Sequence, residues 1–164
     1  MFYERGEFVR EESFMKMAVD IALENVMTEH GGPFGAIIVR KGKIIGIGRN
    51  EVTATNDPTA HAEMQAIRAA CKELNSYQLT DCEIYTSCEP CPMCFGAIYW
   101  ARLTSIYYAC TKTEAAGIGF DDQYIYEQLA LRFEERAIPM KQVRPENYTM
   151  PFKIWKTSIN KAEY

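Results

Sequence analysis

Phe34-Gly35-Ala36-Ile37-Ile38-Val39-Arg40-Lys41-Gly42-Lys43-Ile44-Ile45-Gly46-Ile47-Gly48-Arg49 is the stretch whose reading decides the fold. Two β-rich runs, residues 34–40 and 43–49, flank Lys41-Gly42, and the segment reads as a hairpin. Upstream, Phe14, Met17, Ala18, Ile21, Ala22 and Val26 recur at helical spacing and predict an amphipathic helix over about 13–28. His30-Gly31-Gly32-Pro33 stops it. Downstream, a polar loop ends in Asn56-Asp57-Pro58-Thr59, and a helix follows over about 61–74 with Ala62, Ala66, Ile67 and Ala70 on its inner face. Residues 82–87 and 105–110 read as short strands on either side of a helix over about 91–100. Beyond them come a helix over about 122–131, an extended run over 138–143 and a terminal helix over about 152–160. Strands alternating with helices after an initial hairpin predict an α/β fold in three layers, with a mixed central sheet of about five strands covered on both faces.

At 164 residues the chain fits one domain. A chain of that size buries about 70% of its unfolded surface and needs no disulfide staple. The six cysteines therefore read as thiols and ligands. The start, Met1-Phe2-Tyr3-Glu4-Arg5-Gly6-Glu7, has acids and a glycine where a signal peptide has basic and apolar stretches. No apolar run approaches the roughly 20 residues that span a bilayer, and the expectation is a soluble, cytoplasmic protein. The net charge of −4 argues against a nucleic-acid partner and suits a small neutral substrate.

The chemistry lies in His61-Ala62-Glu63 and Pro90-Cys91-Pro92-Met93-Cys94. His61, Cys91 and Cys94 are three zinc ligands, and three protein ligands leave a tetrahedral zinc one open corner, as catalytic sites require. Cys91 and Cys94 stand three apart, on one side of a helix's first turn. The positive end of that helix favours thiolates. Glu63, two residues from a ligand, is placed to move protons. A structural zinc closed by Cys88 is the alternative, through Cys88-x-x-Cys91-x-x-Cys94. A bacterial ferredoxin run fails, because the position its fourth cysteine needs is Ile98.

These residues resemble the zinc-dependent deaminases of the cytidine deaminase-like superfamily, whose H-x-E and P-C-x-x-C signature they carry. The surrounding motifs are similar to those of bacterial guanine deaminases. They are Gly31-Gly32-Pro33-Phe34-Gly35-Ala36, Asn56 to Glu63, Thr86 to Cys94 and Gly119-Phe120-Asp121-Asp122. The likeness runs from about Phe14 to Glu163-Tyr164 and leaves residues 1–12 as an N-terminal extension. It implies a cytidine deaminase-like fold, one Zn2+ per subunit, and hydrolysis of guanine to xanthine and ammonia. It implies Glu63 as the proton shuttle, and Asp122 in substrate recognition and proton handling. Asn50, at the end of the second strand, is implied as a substrate contact, with an amide that both donates and accepts. Phe34 and Trp100 are candidate pocket walls. The resemblance also implies a homodimer that exchanges the segment of about 150–164, so that Tyr164 closes the partner's site and excludes water.

Plant guanosine deaminases share much of this motif set, but a ribose needs space that a closed terminal lid denies. Transfer-RNA adenosine deaminases share the zinc motifs but need phosphate contacts, which an acidic chain supplies poorly.

Overall fold

The computed structural model describes residues 3–120 and 122–163, with side chains from Arg10 onward. Residues up to Gln123 form one compact unit, and Tyr124–Tyr164 form a second. The sequence reading sets apart residues 1–12 and about 150–164, and places no boundary near 123.

The first unit is built on the expected hairpin, β1 (Gly35–Arg40) and β2 (Lys43–Arg49), paired antiparallel. Its turn residues, Lys41 at φ 48° and Gly42 at φ 77°, both take the left-handed conformation that matches strand twist in a two-residue loop. β3 (Cys82–Cys88) pairs antiparallel with β1, and β4 (Ser105–Cys110) pairs parallel with β3. The order is β2-β1-β3-β4, a mixed sheet of four strands where about five were expected. The missing strand is the run over 138–143, which joins no ladder.

β1 is buried on both sides, because alternate residues face opposite layers. Ala36 and Ile38 pack with Ala62, Ala66 and Ala70 of α3 (Ala62–Leu74) and Ile98 of α4 (Pro92–Trp100). Ile37 and Val39 pack with Ala18, Phe14 and Ile21 of α1 (Tyr3–Met27). These are the three layers the alternation predicts. α1 starts ten residues before the expected start at about 13, since Glu and Arg before it are good helix formers that extend a helix once its last turns are packed.

Two glycines set how close α3 comes. A Cβ on Gly48 would lie 1.9 Å from the Ala62 carbonyl oxygen, and one on Gly46 would lie 2.4 Å from that of Ala66. Backbone cannot yield as a side-chain tip can, so α3 rests directly on β2. Gly48→Ala is expected to lower unfolding stability by about 3 kcal/mol, the upper end for forced overpacking, as read from urea denaturation.

Short helices α2 (Val52–Thr55) and α5 (Lys112–Ala116) complete the first unit. Thr111 caps α5, accepting from the Glu114 N–H while the Glu114 carboxylate accepts from its own. Asp122 opens α6 (Asp122–Ala130). The second unit then holds a 3-10 turn at Phe133–Glu135 and α7 (Met150–Thr157). Phe152, Ile154, Trp155 and Ile159 are 47–95% exposed, so the terminal segment has an apolar surface without a core of its own.

Candidate active site

His61 and Cys91 occupy the N-cap positions of α3 and α4, both with extended backbone, so their side chains leave the two helix ends where those ends meet. Pro92 follows at N1, where its missing N–H costs nothing. Each cap carbonyl accepts the first hydrogen bond of its helix, from Gln65 and Phe95, but neither side chain makes a cap hydrogen bond. Their side chains turn instead toward each other and toward Cys94, with all three ligand atoms within 4.8 Å of one another.

The spacing tests whether zinc fits. His61 Nδ1 is 3.6 Å from Cys91 Sγ and 3.6 Å from Cys94 Sγ. A tetrahedral zinc, with Zn–S about 2.3 Å and Zn–N about 2.05 Å, puts sulfur and nitrogen about 3.6 Å apart. Two thiols and an imidazole are also the donor types zinc takes. The Cys91 thiol is pulled down to about 4, chiefly by its hydrogen bond with Cys94. Cys94 is pushed up by the same bond. The pair thus favours a thiolate at Cys91, which suits a bound cation. His61 is raised, first by its hydrogen bond to Cys91.

Cys88 stands outside this group. Its thiol donates to the Thr111 carbonyl at 3.7 Å, and burial pushes it up to about 12. That is a buried thiol outside the ligand group, which counts against the structural-zinc alternative. Glu63 is 6% exposed in the first turn of α3, and burial pushes its carboxyl up to about 7. A group with that pKa exchanges protons in either direction near neutral pH.

A pocket of about 310 Å³ opens over these residues. His61, Glu63 and Cys91 form its floor, and Phe34, Asn50 and Asp122 line it as the sequence expects. The ring of Phe34 meets that of Phe120 edge-on, with centroids 4.7 Å apart and planes at 84°. Phe120 was not singled out, although it stands inside the quoted Gly119-Phe120-Asp121-Asp122 motif. Glu89 was missed as well. It lines the pocket, while its carboxylate accepts from the Lys112 N–H at 3.1 Å and pairs with Lys112 Nζ at 3.6 Å. Three carboxylates and no lysine or arginine line this pocket, and the Glu89 carboxylate is paired with Lys112 behind it.

Trp100 is corrected. It ends α4, nine residues after Cys91, which is about 13 Å along a helix whose other end faces the ligands. It is 63% exposed and does not line the pocket. Tyr164 lies outside the described residues.

The family model for the cytidine and deoxycytidylate deaminase zinc-binding region matches residues 9–110. The chain is 56% identical over 153 residues to guanine deaminase of Bacillus subtilis (strain 168), covering 93% of this chain and 98% of that protein. An X-ray structure of the Bacillus subtilis guanine deaminase superposes with a TM-score of 0.90 over the same shares. A tRNA-specific adenosine deaminase of Aquifex aeolicus is 39% identical, over 65% of this chain and 70% of its own. A structure of guanine deaminase from Nitrosomonas europaea is 29% identical with a TM-score of 0.65, over 87% of this chain and 71% of that one. With its ligand geometry, its motifs and its length all accounted for, this chain belongs to the cytidine and deoxycytidylate deaminase zinc-binding family.

Proposed function

We infer that this chain is a zinc-dependent guanine deaminase that converts guanine and water to xanthine and ammonia. The observation that carries the reading is Glu63, a carboxyl buried in the first turn of α3 beside a group of three ligands. His61, Cys91 and Cys94 hold the zinc, which, when bound, brings the pKa of a water down from 15.7 to about 7. Glu63 takes a proton from the attacking water and delivers it to the ring nitrogen beside the amine-bearing carbon. It then takes the remaining proton of the added hydroxyl and gives it to the amine, which leaves as ammonia while the carbonyl of xanthine forms, so that one group alternates between base and acid.

Recognition follows from complementary donors and acceptors. Guanine offers N1–H and an amino group side by side, and the Asp122 carboxylate accepts both. Asn50 supplies the amide on another wall. Phe34 and Phe120 give the planar base apolar walls to pack against. The acidic lining favours an uncharged base over a nucleotide.

The apolar, coreless surface of the terminal segment supports an exchange of about 150–164 between two subunits, with Tyr164 closing the partner's site. Light scattering is expected to give twice the 18.8 kDa of one chain. A monomer mass counts against the swap and leaves the chemistry untouched. We place the protein in the cytoplasm, where its six free cysteines stay reduced. Among the described residues, no helix is long and apolar enough to cross a membrane.

Guanine, guanosine, cytosine, adenine and a transfer-RNA stem-loop, offered in parallel to the zinc-loaded protein, test the substrate. Ammonia release is expected from guanine at a rate far above the rest. Release from another substrate with none from guanine overturns the substrate and keeps the deaminase.

A further inference from the structure

Asn25, near the end of α1, is 1% exposed. Its Nδ2 donates one hydrogen to the Gly32 carbonyl at 2.8 Å and the other to the Asn50 carbonyl at 2.9 Å. Two carbonyls as neighbours fix which end of this amide is nitrogen, since Oδ1 in that place would face oxygen twice. Its Oδ1 takes no hydrogen bond among the described residues. An unpaired buried acceptor is unfavourable, and packing alone gives no reason to keep one where a leucine of similar volume would fit.

The two carbonyls belong to neighbouring residues of the pocket wall. Gly32 and Asn50 both line the pocket, and Asn25 ties one to the other. Nothing larger than glycine fits between them, since a Cβ on Gly31 would lie 2.3 Å from the Asn50 carbonyl oxygen. Held in this register, the Gly32 N–H donates to Asn50 Oδ1 at 3.4 Å, and the Val52 N–H donates to it at 3.3 Å. The Asn50 N–H donates to the Phe34 carbonyl at 3.1 Å. Asn50 Oδ1 is thereby committed to backbone, and its NH2 end is left for the ligand.

We propose that Asn25 is a positioning residue that fixes Asn50 as a hydrogen-bond donor toward a purine acceptor, acting through Asn50 and not on the substrate. This rests on Asn50 touching the base, as argued above. It predicts an effect on substrate affinity that disappears when the Asn50 amide is removed.

The test is a double-mutant cycle on the zinc-loaded protein, using Asn25→Leu, Asn50→Ala and the pair. Leucine fills the volume, suits a helix and donates nothing, so it separates the hydrogen bonds from packing. Asn25→Ala is a second variant should leucine disturb the fold. Asn25→Leu is expected to raise KM for guanine about tenfold with kcat within about threefold, the pattern of lost uniform binding. In the Asn50→Ala background it should change KM less than about twofold. A wild-type KM in Asn25→Leu, or effects that multiply in the double variant, overturns the proposal.

A second readout does not depend on turnover. The Asn50 side-chain NH2 resonances, identified by their absence in Asn50→Asp, should shift or broaden in Asn25→Leu. Unchanged resonances overturn the positioning. A wild-type protein inactive on guanine instead overturns the substrate reading, and the resonance test still decides the role of Asn25.

Discussion

Glu63→Gln is expected to lower kcat for guanine about 10³-fold, within the range for loss of a positioned general acid–base group. Zinc content should stay at one per subunit, because glutamine keeps the shape of the side chain and position 63 supplies none of the three ligand atoms. A loss confined to proton transfer lowers kcat and kcat/KM together, with KM little changed. Steady-state ammonia release and metal analysis on the same preparation decide it. Wild-type kcat in the variant would sink the mechanism.

The same variant has an opposite effect on stability. Unfolded Glu63 titrates near 4.5, while the folded group is raised to about 7 by burial. The raised pKa means that stability falls as pH rises from the unfolded value through the folded one. Zinc-free Glu63→Gln should therefore melt above zinc-free wild type at pH 8, with the gap closing below about pH 4.5, as followed by circular dichroism.

Cys91→Ala is expected to abolish both zinc retention and ammonia release. Loss of an outer-shell partner weakens metal affinity about 10–100-fold, and loss of one of only three protein ligands should exceed that. Cys88→Ala is the matched control. Its sulfur is bonded to Thr111 and lies outside the ligand group, so it should keep one zinc through dialysis. Zinc loss from Cys88→Ala as complete as that from Cys91→Ala would restore the closed four-ligand site.

How much of this was legible depended on how local each signal is. The hairpin, α3 and α4 follow from periodicities inside single segments, and the zinc ligands follow from fixed spacings in two short motifs. Trp100 ends α4, away from the ligands at the start of that helix, a distance that the shared helix does not show in the sequence. The run over 138–143 has strand-like residues, but pairing needs a partner edge that no local pattern supplies. Asn25 was invisible for a related reason. Its function lies in two main-chain carbonyls, 7 and 25 residues away, and carbonyls carry no sequence signature. Phe120 sat in plain view, but the acids beside it carried the chemistry and drew the reading.

The bare contact of Gly46 and Gly48 with α3 has a bearing on how this enzyme can be engineered. His61 and Glu63 ride on a helix whose seat is the empty space above two glycines, so added bulk on β2 displaces both at once. A library that randomises β2 and is screened only for ammonia should return glycine at position 48, although Gly48 does not line the pocket. Specificity changes are better sought on the walls around Val52, Thr53 and Glu89, which line the pocket and do not carry α3.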